Sequence, residues 1–284
     1  MSTIHNSYRN DSHNHHNHHH HQKVYPNFSL KNKVYVVTGG GRGLGLCMAE
    51  AMTEAGAEVH CLDILEEPAH EFIETQELAA RSHVGSLHYH HLDVRDTILL
   101  NDKIVDIAGR HDGIDGLVAA AGVQQIMPAI DCTAEDITRI MDVNYTGAFM
   151  TAQAVARQMI TYKNHGSIVL IASMSGLIAN RGLISPAYNA SKAALIQLAR
   201  SLAMEWGHEG IRVNSLSPGH IVTPMVEKNF EEVPGLQEIW ERENMLGRLA
   251  RPEEFTGAAI FMLSEASSFM TGSNIIIDGG HTAW

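Results

Sequence analysis

Tyr188 and Lys192 stand four residues apart in the run Tyr188-Asn189-Ala190-Ser191-Lys192, with Ser173 fifteen residues before the tyrosine. On a helix that spacing puts the phenol and the ammonium on one face. A phenol titrates near pH ~10, too high for a base at neutral pH, and a neighbouring cation lowers that value by favouring the phenolate. The pair is therefore an acid/base suited to moving a proton on or off an oxygen, with Lys192 expected to depress the tyrosine. The same spacing occurs on ordinary solvated helix faces, so the elements around it decide its meaning.

Those elements alternate. Residues 33–38 form an apolar, β-branched strand, followed by a Gly-rich turn and a helix to about residue 55. Residues 57–62 read as a second strand ending on Asp63, and a polar helix over 66–81 leads to a strand at 88–92 and then Asp93. Further strands fall at 116–120, 167–172, 211–216 and 274–277, with helical patterns over 133–161 and 187–206. The run at 167–172 is continuously apolar, as expected of a strand buried on both faces. Such alternation implies an α/β fold, a single-domain Rossmann-type doubly wound parallel seven-stranded sheet with helices on both faces. One catalytic domain is expected over 28–284. The His- and Asn-rich segment 1–27 is too polar to offset its ordering entropy and reads as a disordered tail.

A net charge of −12 argues against nucleic acid as a partner. No apolar run reaches bilayer length and no secretory signal heads the chain, so no membrane partner is expected and a cytoplasmic setting is. Cys47, Cys61 and Cys132 are scattered without metal or disulfide spacing. No metal centre is expected, although the imidazoles clustered between His13 and His21 can bind Zn²⁺, Ni²⁺ or Cu²⁺ loosely.

The turn Thr38-Gly39-Gly40-Gly41-Arg42-Gly43-Leu44-Gly45 lies where the first strand meets the first helix. Glycines there permit a tight bend and close approach of backbone to a pyrophosphate resting on the helix N-terminus. Asp63, eighteen residues after Gly45, is placed to accept from the hydroxyls of an adenosine ribose. Its charge repels a 2′-phosphate and so favours NAD over NADP, whereas Arg42 in the turn pulls the other way. A helix N-cap is the plainer use of Asp63.

Together these residues resemble the short-chain dehydrogenase/reductase family, in its classical subfamily, from about residue 30 to the C-terminus. The matching motifs are the Thr38-Gly39-x-x-x-Gly43-x-Gly45 turn, Asp93, Asn144, Ser173, Tyr188-x-x-x-Lys192 and Pro218-Gly219. The resemblance implies that Asp93 and Val94 meet the adenine, that Ala121 and Gly122 line the adenosine side, and that Ile221 and Thr223 hold the nicotinamide carboxamide. Tyr188 then exchanges a proton with the substrate oxygen and Ser173 donates to that oxygen. Lys192 binds the nicotinamide ribose as well as tuning Tyr188, and Asn144 holds a water linking Lys192 to solvent. Two departures stand out. Ala119-Ala120-Ala121-Gly122 replaces the family's Asn-Asn-Ala-Gly, and the Ser-to-Tyr interval exceeds the usual thirteen by two, so Ser175 competes with Ser173.

Segments such as Ile171-Ala172-Ser173-Met174-Ser175-Gly176 and the ending from Asp278 to Trp284 are similar to a fungal branch. Its members are D-arabinitol 2-dehydrogenases, L-xylulose reductases and sorbose reductases. A small-molecule polyol/ketose pair is thus the expected substrate, with Gln124, Ser175, Asn180, Arg181 and His220 as candidates for its hydroxyls. Residues 223–247, including Met225, Phe230, Trp240 and Met245, suggest a lid, or else an amphipathic helix pair packed on the core. The resemblance implies a homotetramer built through 133–161 and 187–206. A carbonyl reductase of a bulkier ketone and a non-enzymatic cofactor-dependent binding protein are the competing readings.

Overall fold

The computed structural model describes residues 26–180, 183–223, 226–227, 230–231 and 234–284. The expected tail up to residue 25 lies outside the described residues, as do Arg181 and Met225. Strands and helices alternate as β1 Val34–Thr38, α1 Gly43–Glu54, β2 Glu58–Asp63, α2 His70–Ser82, β3 Ser86–His91, α3 Thr97–His111 and β4 Gly116–Ala119. There follow α4 Ala134–Met141, a π-turn Asp142–Gly147, α5 Ala148–Tyr162, β5 Gly166–Ile171, α6 Pro186–Trp206 and β6 Ile211–Pro218. The chain ends with α7 Leu236–Glu243, α8 Thr256–Leu263 and β7 Asn274–Ile277.

The seven strands form one parallel sheet in the order β3-β2-β1-β4-β5-β6-β7. Strand direction of travel reverses between β1 and β4, and such a switch point opens a crevice at the carboxyl ends of the strands. Alternate residues along each strand serve opposite layers. Val36, Leu62, Leu117, Ile168 and Val213 pack with α3, α5 and α6, while Tyr35, Val37, Val59, Val118 and Leu216 pack with α1, α2 and α8. Both faces are thereby covered, as the sequence pattern implies.

Two differences from the sequence reading matter. The helix at 97–111 goes unread there, although Asp96 caps it by accepting from the Leu99 N–H at 3.0 Å. The expected helix over 133–161 is interrupted by the π-turn, which starts on Asp142 and contains the buried Asn144. No helix among the described residues is long and apolar enough to cross a membrane.

Candidate active site

The Gly-rich turn leaves β1 and opens α1. A Cβ on Gly45 would stand 2.1 Å from the Gly39 carbonyl oxygen, so α1 can begin this close to the turn only with glycine there. Gly41 and Gly43 complete the bend; Leu44 is half-buried and Arg42 is exposed as the residue before α1. Asp63 closes β2, and its carboxylate is buried against the turn. Its Oδ2 accepts the Gly41 N–H at 2.9 Å and its Oδ1 accepts the Leu65 N–H at 3.2 Å. The plainer N-cap reading is not what the structure gives, since α2 starts at His70 after Ala69. Each carboxylate oxygen keeps a second lone pair for a ribose hydroxyl.

Asp93 is engaged differently from expectation. Arg95 Nε donates to both carboxylate oxygens at 3.0 and 2.9 Å, and Arg95 Nη2 donates to Oδ2 at 2.6 Å. These bonds hold the carboxyl below its ordinary value against an opposing desolvation. An adenine amine would meet a carboxylate already clamped by a guanidinium. Val94 beside it is buried. Where the family's amides are missing, Thr38 supports β4 instead. Its carbonyl accepts from Ala120 N–H at 3.1 Å and its hydroxyl from Ala121 N–H at 3.3 Å.

At the other end of the crevice, Gly219 N–H donates to the Ile277 carbonyl at 2.8 Å, tying the Pro218-Gly219 turn to β7. The chain then bridges to Ala250, which donates to the His220 carbonyl at 3.0 Å and accepts from Val222 N–H at 2.8 Å. In such a bridge the Ile221 N–H and C=O point to the opposite side, where a carboxamide can pair with them. The Thr223 hydroxyl accepts from Val226 N–H at 3.3 Å.

The sequence-nominated catalytic residues come together. Ser173 follows β5, and its hydroxyl accepts the Ser175 N–H at 3.1 Å, leaving its proton to donate. Burial raises the Tyr188 phenol above its ordinary value, and a hydrogen bond with Ser173 pulls it back down. Lys192 is buried, and its Nζ donates to the Ile171 carbonyl at 2.8 Å, 5.6 Å from the Tyr188 ring centre. Burial lowers its pKa to about 8. In the chain alone the phenol stays raised by its burial, with the Ser173 hydrogen bond as the opposing influence and the Lys192 ammonium over its ring. Asn144 places Oδ1 on the Val123 N–H at 2.8 Å, and its Nδ2 donates to the Val123 carbonyl at 3.0 Å and the Ser191 hydroxyl at 2.9 Å. Its amide thus braces the Val123 backbone and, through Ser191, the Tyr188 helix. A Cβ on Gly122 would lie 3.4 Å from Asn144 Oδ1 and 3.5 Å from Lys192 Nζ, so all three border one small polar space.

The candidate substrate residues separate. Ser175 and Asn180 are buried and bonded to each other, Asn180 Nδ2 donating to the Ser175 hydroxyl. The Asn180 backbone is left-handed and its Oδ1 is buried without a hydrogen-bond partner among the described residues. Gln124 is exposed. His220 stacks on Trp240 at 4.0 Å with the rings 5° from parallel, and His281 meets it edge-on at 5.2 Å. Trp240, Leu183 and Leu249 make a small apolar cluster of their own with Phe230 against it. The amphipathic-packing alternative for 223–247 thus describes its Trp240 face, while Met245 is exposed. Ser191 and the Ile171 carbonyl carry positioning roles that sequence motifs alone do not flag.

A family model described as enoyl-(acyl carrier protein) reductase matches residues 39–282. The chain belongs to the short-chain dehydrogenase/reductase family. A short-chain dehydrogenase/reductase of Aspergillus versicolor is 41% identical, covering 90% of this chain and 89% of its own length. Galactitol 2-dehydrogenase of Rhizobium johnstonii is 41% identical over 90% of this chain and 98% of its own. The ribulose-forming D-arabinitol 2-dehydrogenase of Scheffersomyces stipitis is 36% identical over 92% and 98%. Among solved structures, a gluconate 5-dehydrogenase from Burkholderia cenocepacia in complex with NADP and tartrate superposes with a TM-score of 0.80. It is 32% identical, covering 90% of this chain and 98% of that one. This short-chain dehydrogenase/reductase is accordingly an oxidoreductase of alcohol CH–OH groups that uses a nicotinamide nucleotide.

Proposed function

We propose that this enzyme interconverts a polyol and the corresponding ketose with NAD(H). The observation that carries the substrate class is Asn180 Oδ1, a buried acceptor without a partner among the described residues, joined through Ser175 to Ser173. A buried unpaired acceptor is costly, and a hydroxyl beyond the reacting one relieves that cost. Galactitol and arabinitol, named for two relatives, have such hydroxyls.

The nicotinamide supplies the site that takes or gives hydride. The chain supplies the rest. Tyr188 takes the alcohol proton in oxidation and returns it in reduction, and Ser173 donates to the same oxygen. Lys192 keeps two donors beyond the one given to Ile171, available to the nicotinamide ribose, and Asn144 sets the position of Val123 and of the Tyr188 helix. Asp63, fixed by Gly41 and Leu65, supports NAD by opposing a 2′-phosphate; exposed Arg42 is the feature that favours NADP. A second reading, reduction of a bulkier ketone, draws on Val123 and Leu177, which are 40% and 42% exposed beside Gly122 and the Ser173 turn. We place the enzyme in the cytoplasm as a homotetramer through α4–α5 and α6, on whose surface Met204 is 75% exposed; solution mass tests the assembly.

The deciding experiment incubates the enzyme with NAD⁺ or NADP⁺ and a panel of pentitols, hexitols and simple secondary alcohols. Reduced cofactor should form fastest with a polyol and NAD⁺. Turnover confined to the simple alcohols would reject the polyol reading.

A further inference from the structure

Away from the crevice, on the face of the sheet that α3 covers, imidazoles gather around one carboxylate. β2 and β3 pair with His60 opposite His88 and Leu62 opposite His90, so the side chains of Glu58, His60, His88 and His90 share that face. His111, at the last position of α3, closes the group from the helix side. Glu58 Oε1 lies 3.1 Å from His88 Nε2 and 3.8 Å from His60 Nε2, and its Oε2 lies 3.5 Å from His111 Nδ1. The donor atoms of Glu58, His60 and His88 all fall within 4.8 Å of one another.

We propose that Glu58, His60 and His88 form a binding site for a borderline divalent transition metal such as Zn²⁺, with His111 beside the fourth position. Nitrogen and oxygen ligands bound at ~2.0–2.1 Å in a tetrahedron stand about 3.3 Å apart, close to the separations here. A second observation points the same way. His60 is buried, and its Nε2 has no hydrogen-bond partner among the described residues. Its Nδ1 lies 3.0 Å from His90 Nε2. When Nδ1 carries the proton and donates to His90, the Nε2 lone pair faces the carboxylate. An acceptor on the far ring nitrogen, here the His90 imidazole, fixes the tautomer of a metal-ligating histidine as a carboxylate or carbonyl does elsewhere. His88 and Glu58 are partly exposed, with side-chain exposures of 41% and 32%, so an ion has a path in. Lys103, Asp106 and Arg110 of α3 are the other charged groups facing His90. The ion would tie the edge strand β3 to β2 and to the end of α3.

Zinc stoichiometry is measured on the full chain by competition with a chromophoric chelator, alongside Tm with and without zinc. The N-terminal histidines are identical in every variant and cancel. Glu58→Gln and His88→Gln each should remove one tight zinc equivalent and the zinc-dependent rise in Tm, with an unchanged circular dichroism spectrum and zinc-free Tm as the control for folding. His111→Gln should weaken that equivalent without removing it. Equal tight stoichiometry and equal Tm response in the wild type and both variants would overturn the site, whether or not the polyol reading of the crevice holds.

Discussion

Lys192 donates to the Ile171 carbonyl at 2.8 Å, so the ammonium paired in sequence with Tyr188 is anchored to the end of β5. Its burial sets a stability signature. The folded pKa of about 8 lies below the ordinary 10.5, so between those values the unfolded chain binds more protons and stability rises with pH. Lys192→Met should flatten that rise between pH 8 and 9.5 in urea unfolding. Parallel curves for the two proteins would contradict it.

Replacing Tyr188 with Phe should lower turnover by about 10²–10⁴-fold while NADH still binds, as read by fluorescence titration. Because burial holds the phenol above its ordinary value, wild-type kcat/KM for oxidation should climb from neutral to alkaline pH, whereas reduction, which uses the protonated phenol, should stay flat over the same range.

Ser173 carries both a hydrogen bond to the reacting oxygen and the downward pull on Tyr188. Ser173→Ala should therefore cost about 10²–10³-fold in kcat and also move the oxidative pH profile to higher pH. A loss of rate with an unmoved profile would assign Ser173 to substrate alone.

Asp63→Asn retains an oxygen for the Gly41 N–H but loses the charge. The KM for NAD⁺ should rise and that for NADP⁺ fall, whereas Arg42→Ala should raise the KM for NADP⁺ only. An unchanged ratio in Asp63→Asn would remove the carboxylate from cofactor choice.

Asn180→Leu removes the unpartnered acceptor. It should raise the KM for the preferred polyol by about tenfold, the equivalent of ~1.4 kcal/mol, and leave a simple secondary alcohol nearly unaffected. Equal effects on both would reduce Asn180 to a turn residue.

The strands were legible to within about two residues because parallel strands buried on both faces are short apolar runs. Tyr188, Lys192, Ser173 and Asp63 were legible because local spacing brings each to the right end of its element. What escaped depends on side-chain geometry that spacing does not reveal. Arg95 clamps Asp93 from only two residues away in the turn after β3, and Asn180 turns its amide nitrogen onto Ser175 while its Oδ1 is buried without a partner among the described residues. The imidazoles around Glu58 meet through strand register and a helix end, where no spacing rule for ligands applies. The helix at 97–111 escaped because it was passed over despite apolar Leu100, Ile104, Ile107 and Ala108 at helical intervals.

The π-turn at Asp142–Gly147 makes the site sensitive to how many residues the chain contains, beyond which ones. The wide turn absorbs one extra residue, so a one-residue deletion there would let the segment close to an ordinary α-helix while α4 and α5 keep their faces. Apolar content would be unchanged and the sheet would still form. Asn144 would swing off Val123 and Ser191, leaving a well-folded protein whose catalytic helix has lost its lateral brace.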